Sequence, residues 1–408
     1  METTMSDLDA IRLGIQPRKT ARDSSSRVTF APDNTRNHVQ KSRERRSRDK
    51  TGPSGGGCLK FIQSRSWIQP LVLVLVCLAA YRVDPGEHNP FHRYIFISYQ
   101  ITDTTHGTTT YGKGPRDLTF VAFYTLVLTF TREFTMQELL RPLARAAGLS
   151  SRKRHASRQA RFMEQMYTAV YFSVMGPVGL YVMRHYSAAA AAAAPGKWYF
   201  DTHAMYAGYP HTTHDGPFKA YYLVQAAYWA QQAVVLVLGL ERPRKDFREL
   251  VAHHIVTLAL IGLSWRFHFG FLGIAVYVTH DISDLALAIT KSLQYINSAL
   301  AVPSFAVFIG VWVYTRHYLN CRILWSLLNE FRTVGPYELD WDAQQYKCPL
   351  SNAVTLVLLS ALQALNVFWL ACIVRSAYRI VVHKVATDDR SEGEDEGVVE
   401  DGEGKKVM

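Results

Sequence analysis

Apolar residues fall into eight stretches separated by polar segments, at about 67–82, 117–135, 162–184, 219–240, 250–268, 270–291, 303–321 and 353–383. A hydrocarbon core about 30 Å thick is crossed by about 20 residues of helix, so each stretch is expected to form a transmembrane helix. The first is short and is expected to thin the bilayer locally. The chain therefore reads as an all-α polytopic membrane protein with about eight transmembrane helices. The alanine run Ala188–Ala194, closed by Pro195 and Gly196, is expected to extend the third helix briefly before a break.

Composition alone hides this pattern: 48% of residues are hydrophobic, yet the mean hydropathy is −0.04, because polar tails dilute the apolar middle. Residues 1–65 hold fourteen Lys/Arg against seven Asp/Glu and include KSRERRSRDK at 41–50. Such an arm is too polar to fold alone, and beside a first span it reads as a cytoplasmic segment drawn to anionic lipid, not as a nucleic-acid binder, in spite of the net charge of +11. Two N-terminal helices, 66–135, follow it. Basic residues gather in 132–161 and in ERPRKDFRE at 241–249, whereas the alternate loops 83–116 and 187–218 are poor in them. The positive-inside rule then places both termini in the cytoplasm. The tail 384–408 is acidic and expected to be disordered, with Ser391 as a candidate phosphorylation site, and it ends Lys405, Lys406, Val407, Met408, the form of a dilysine retrieval signal of endoplasmic-reticulum membrane proteins. Five scattered cysteines make no disulfide framework or zinc knuckle, although Cys321 and Cys348 share the lumenal side and are candidates to pair.

The chemistry is concentrated in HHIVTLALIGLSWRFHFGFLGIAVYVTHDISDLALAITKSLQYIN, 253–297, apolar enough for two spans yet carrying four histidines, two aspartates and a lysine. An ionisable group costs about 2.5–3.5 kcal/mol at mid-membrane on insertion scales, so several together imply a shared cavity. Helical spacing places His253, Thr257, Ser264 and His268 on one stripe, and Tyr277, His280, Asp281, Asp284 and Lys291 on a second. A turn near Phe269, eased by Gly270 and Gly273, brings His253 and His254 level with Asp284. A carboxylate bonded to one imidazole nitrogen would raise the basicity of the other, producing a base for an incoming amine; an imidazole that takes the acyl group first is the alternative route. Tyr221, Gln225, Tyr228 and Gln232 form a stripe on the fourth span. Arg316 and His317 on the seventh and Gln363 and Asn366 on the eighth add polar groups, each more often a helix-packing hydrogen bond when alone. Arg244 and Lys245, beside Arg242 and Arg248, are candidates to hold phosphates. A mononuclear zinc site is a weaker reading, because the repeated histidine boxes of membrane di-iron enzymes are missing from the sequence.

The pair His253 and His254 with Thr257, Ser264, Gly273, Asp281, Ser283, Asp284, Lys291 and Tyr295 resembles the Lag motif of ceramide synthases, within the wider TLC family of membrane proteins. YYLVQAAYWAQQ at 221–232 and RKDF at 244–247 extend the resemblance, which covers about 158–383. Trp265 and Gly270 depart from the commoner residues at their positions. The resemblance implies N-acylation of sphinganine or phytosphingosine by acyl-CoA, a substrate, with no cofactor. It implies His253, His254, Asp281 and Asp284 as the catalytic set, and a TLC-type six-helix bundle around a long cavity. The other polar residues of the stripes would bind substrate. It also implies a fungal type of enzyme with a small single-span regulatory subunit or a homodimer as assembly. A non-catalytic TLC protein and a metal-dependent ceramide hydrolase are the rival functions.

Overall fold

The structure, a computed structural model, describes residues 65–102, 108–149, 153–185, 200–241 and 244–383. The basic arm, the alanine run, Arg242 and the acidic tail with Ser391, Lys405 and Lys406 lie outside the described residues.

Every predicted stretch corresponds to a helix: α1 Ile68–Val83, α2 Arg116–Phe134, α3 Lys153–His185, α4 Gly216–Val237, α5 Phe247–Arg266, α6 Gly270–Tyr295, α7 Ala301–Trp312 and α8 Pro349–His383. Four helical segments are long and apolar enough to cross a membrane by length and composition: Ala156–His185, Phe247–Arg266, Gly270–Tyr295 and Pro349–Val382. The others are shortened or diluted for visible reasons. α1 has 16 residues, α2 carries Arg116, Asp117, Arg132 and Glu133, and α7 passes into a π-helical turn, Val313–Leu319, before Asn320–Asn329. α8, at 35 residues, is about 50 Å long and exceeds the hydrocarbon thickness.

The described residues are mostly helical, as expected, with one small addition that the sequence does not announce. The loop before α2 and the residues before α4 form a three-stranded antiparallel sheet: β1 Gln100–Thr102, β2 Thr109–Tyr111 and β3 His214–Asp215, in the order β1-β2-β3. Its threonines and tyrosine suit a pleated surface. Lys219 at the start of α4 fastens this region by donating to Ser98 O (2.9 Å) and Gly112 O (2.6 Å) while pairing with Asp117 Oδ1 (2.7 Å). Trp265 Nε1 on α5 donates to Asp117 Oδ2 (3.1 Å), so one carboxylate ties α2 to both α4 and α5.

The turn between α5 and α6 is tight, as expected, but its left-handed residue is His268 (φ 64°), not a glycine. Gly273 serves close approach instead: a Cβ there would stand 2.9 Å from Ser264 Oγ and from the Tyr222 ring. Gly179 on α3 does the same, since a Cβ would come within 2.8 Å of Val278 on α6 and nearer still to the Tyr221 hydroxyl on α4. α6 is thereby drawn into a core that includes Phe172, Met183, Tyr222, Ile274 and Val278, all nearly inaccessible. Cys321 is exposed, Cys348 is buried, and both are free, so the anticipated disulfide is not formed.

Lys113, between β2 and α2, lies over the Trp265 ring at 4.5 Å, and its Nζ has no hydrogen-bond partner. Burial pulls its pKa down to about 7, with Asp117 opposing and Lys219 adding to the shift. An unfolded lysine titrates near 10.4, so between about 7 and 10 the unfolded chain binds the extra proton and stability rises with pH. Lys113→Met is therefore expected to raise the thermal midpoint at pH 7, with the gain shrinking as the pH approaches 10. Scanning fluorimetry of the detergent-solubilised protein at several pH values checks this; a gain independent of pH contradicts it.

Candidate active site

α5 places His253, Thr257 and Ser264 along one stripe, and all three line a cavity of about 260 Å³ between α4, α5, α6 and α8. Tyr222, Tyr277 and His280 share its wall, and Phe267, Trp341 and Tyr346 stand at the end nearest the α5–α6 turn. A second cavity, about 230 Å³, lies toward the opposite ends of these helices. Its wall includes Tyr228, Gln232, Arg244, His253, His254, Asp284, Lys291 and Arg316. His253 and Trp229 belong to both walls, so the two cavities meet beside the paired imidazoles.

The hydrogen bonds define what each ring offers. His254 Nδ1 lies 2.8 Å from Leu250 O, and because a carbonyl only accepts, Nδ1 carries the proton and Nε2 is the basic nitrogen. His280 is fixed in the same way by Val276 O at 2.8 Å. His253 packs edge-on against Trp229 (5.7 Å between ring centroids), His254 (5.7 Å) and Trp369 (5.3 Å), and its Nδ1 is buried with no partner. Its Nε2 is left as the nitrogen available to a ligand.

The aspartates do not bond the histidines, which corrects the expected imidazole–carboxylate pairing. Asp281 Oδ2 accepts the Tyr221 hydroxyl (3.1 Å) and the Gln225 amide, whose oxygen in turn accepts Tyr171 (2.9 Å). Asp281, Tyr221 and Gln225 line neither cavity. The cause is helical phase: one residue turns the helix by about 100°, so Asp281 faces α4 while His280 faces the first cavity. Asp284 lines the second cavity and is paired with Arg316.

Two further candidates are displaced from the walls. Lys245 is exposed. His268 sits in the turn beside Tyr346, where burial, reinforced by Lys113 and Arg266, lowers its pKa to about 3 and keeps the ring neutral. Arg244 is positioned by a chain of charges, with Arg132 donating to Glu241 at 2.6 Å and Arg244 lying 3.9 Å from the other oxygen of Glu241. Trp229 and Trp369 were hidden from sequence reasoning, because indoles on apolar helices look like ordinary core. Trp369 Nε1 donates to Asp246 Oδ2 (3.1 Å) and so fixes α8 against the start of α5.

Removing the Asp281 carboxylate strands the Tyr221 hydroxyl and the Gln225 amide in a dry interior, at a cost of about 1–3 kcal/mol. Asp281→Ala is thus expected to lower thermal stability clearly, and Lys245→Ala to leave it unchanged. Thermal midpoints of the two solubilised variants test this assignment, and a fully stable Asp281→Ala protein contradicts it.

Residues 161–375 match the TLC domain. The sphingosine N-acyltransferase-like protein FUM17 of Gibberella moniliformis is 51% identical over 335 residues, covering 81% of this chain and 83% of its own length. Sphingosine N-acyltransferase lac1 of Schizosaccharomyces pombe is 46% identical over 87% of this chain and 88% of its own. Ceramide synthase LAG1 of Saccharomyces cerevisiae is 44% identical over 84% of this chain and 79% of its own.

Proposed function

Because the chain belongs to the TLC-domain family and, within it, to the sphingosine N-acyltransferases, we propose that it is a ceramide synthase, moving the acyl group of a fatty acyl-CoA to the amino group of a sphingoid base, sphinganine or phytosphingosine. The observation that carries the reading is the junction of two cavities at His253, with His254 alongside. The largely apolar first cavity suits an acyl chain. The second offers Arg244 and Lys291 to phosphates, so a thioester spanning the junction lies next to the imidazoles.

In the direct route the amine nitrogen bonds the thioester carbon, the carbon–sulfur bond breaks, and the proton lost by nitrogen passes through His254 Nε2 to the departing thiolate. In the two-step route His253 Nε2 bonds the acyl carbon as the carbon–sulfur bond breaks, giving an N-acylimidazolium and the CoA thiolate; the amine then displaces neutral His253, and the proton it loses passes through His254 Nε2 to the thiolate. The position of His253 on both walls favours giving it the contact with the reacting carbon. A thiolate is a good leaving group, so this chemistry calls for no metal or cofactor.

Around this site, residues 158–383, with helices α3 to α8, act as a six-helix TLC bundle. The Lag segment 253–297 lies at its centre, and the helices of 66–135 stand before it, which makes eight spans. With Arg244, Arg158 and Arg161 at the cytoplasmic face, the basic arm 1–65 and the tail 384–408 both lie in the cytoplasm, the arm against anionic membrane lipid. In this reading the enzyme resides in the endoplasmic-reticulum membrane, as its resemblance to ceramide synthases implies. A small single-span regulatory subunit or a second copy of the chain completes the assembly, as the fungal resemblance implies.

The test uses purified protein, sphinganine and a panel of acyl-CoAs, with and without a chelator. N-acylsphinganine and free CoA are expected in equal amounts regardless of chelator. Chelator-sensitive ceramide cleavage would indicate the hydrolase, and inertness in both directions a non-catalytic TLC protein. His253→Ala and His254→Ala are each expected to reduce acyl transfer by about 100-fold or more while membrane insertion is retained, and near-normal turnover in either contradicts its assignment.

A further inference from the structure

Asp284 and Arg316 form a pair whose arrangement is not explained by the histidine chemistry. Arg316 Nη2 donates to Asp284 Oδ1. The guanidinium is held on its other sides as well: Nε donates to Ser283 Oγ (2.6 Å), Nη1 to Asn366 Oδ1 (3.1 Å), and Cζ lies 4.3 Å from the Trp312 ring centroid. It projects from the π-helical turn that interrupts α7, so one cation ties α6, α7 and α8 together. The other carboxylate oxygen, Asp284 Oδ2, accepts no hydrogen bond from a described residue. The Asp284 side chain is 19% exposed and forms part of the second cavity's wall, with His253 and His254. Neither imidazole bonds to it.

A rigid carboxylate next to a pair of bases, its charge shared with an arginine through one oxygen, presents the other oxygen to a ligand that brings N–H donors, and a cationic donor makes the strongest such bond. The two substrates of the acyltransferase reading differ in this respect. An acyl-CoA brings phosphates, amides and a thioester, all anionic or neutral. A sphingoid base brings an ammonium. The cations Arg244 and Lys291 belong to the same wall, and Lys291 lies about 10 Å along α6 from Asp284, close to two turns. Asp246, the other carboxylate there, is engaged by the Trp369 indole. The cavity is thus polarised, with phosphate-compatible cations at one end and the open oxygen of Asp284 at the junction.

We propose that Asp284 Oδ2 binds the amino group of the sphingoid base, and that Arg316 is a positioning residue that fixes this carboxylate and sets affinity for the amine rather than for acyl-CoA. The ammonium docks on Oδ2 and yields one proton through His254 Nε2 to solvent; the neutral amine keeps an N–H on the carboxylate while its lone pair turns toward the acyl carbon, and the second proton, lost as the amide forms, passes through the freed His254 Nε2 to the thiolate. This inference rests on the acyltransferase reading for the identity of the amine, and its own content is the division of labour between the substrates.

The experiment measures initial rates with each substrate varied while the other saturates. Asp284→Asn and Arg316→Gln are expected to raise KM for sphinganine by about 10-fold or more and to leave KM for acyl-CoA within about twofold, with Arg316→Lys recovering part of the loss. A fall in kcat with KM for sphinganine unchanged, or an equal rise in both KM values, overturns the proposal. Should the variants fail to fold, the unmodified protein decides. Octadecylamine is expected to compete with sphinganine at least about 10-fold more strongly than octadecanol, because only the amine supplies a cationic donor; equal competition overturns the proposal. If the unmodified protein forms no amide at all, the functional reading has failed. Thermal-shift binding of octadecylamine against octadecanol still reports on Asp284 in that case: selectivity for the amine supports its role, and equal binding overturns it.

Discussion

The organisation of this protein depends on one constraint: charge and hydrogen-bonding capacity placed in a dry helical interior must be matched there, since water is not available to do so. α6 carries the heaviest load, and it is answered from two directions. Asp281 is engaged through Oδ2 by Tyr221 and Gln225 of α4, and Asp284 through Oδ1 by Arg316 beyond α7. Two carboxylates separated by less than one helical turn therefore anchor opposite sides of the bundle. Gly179 adds to the effect, because the backbone of α3 comes close enough to touch Tyr221 and Val278.

Matching these groups also determines what is left unmatched. With both aspartates committed elsewhere, the imidazoles are oriented by other means. His254 and His280 use the carbonyl one turn earlier in their own helices, whereas His253 is held by edge contacts with Trp229, His254 and Trp369. A backbone carbonyl fixes the tautomer without adding a charge, so the basic nitrogen faces the cavity in a predictable form. The reactive groups are thus separated from the structural ones even though they are adjacent in sequence.

Much of this was legible in the chain. Hydrophobic stretches located the long helices α1 to α8, because the exclusion of polar residues is a property of each segment alone, but not the shorter helices Arg141–Ala146 and Asn320–Asn329. The stripe His253, Thr257, Ser264 indeed faces one cavity, and Tyr228, Asp284, Lys291 and Arg244 another. Partners across helices were not legible. Periodicity states which way a side chain points but not what it meets, so Asp284 was matched with a histidine when an arginine more than thirty residues away reaches it first. The π-helical turn that aims Arg316 leaves no mark on an apolar pattern. The left-handed turn residue is not announced by the sequence because glycine is the usual occupant, whereas here His268 holds that position with its ring stacked on Tyr346. The small sheet was missed because its strands are two or three residues long and are held by Lys219 rather than by their own alternation.

The same separation bears on a problem that any acyl transfer faces, which is water. Water is abundant and a free amine in water is mostly protonated, so an activated acyl group is exposed to hydrolysis unless water is kept away or the amine is held in advance. The first cavity is walled mainly by leucines, aromatic rings and Val276, which leaves little to stabilise water near the acyl carbon. The second has the more polar wall, and its open acceptor at Asp284 sits on the wall that also presents His254. Under the proposed mechanism, amide formation prevails over hydrolysis through this asymmetry: a dry side that protects the acyl group, and a polar side on which a bound amine displaces water from the open acceptor. The energetic work then lies in placement, since a bound nucleophile beside a thioester gains more from lost freedom already surrendered than from any single charge.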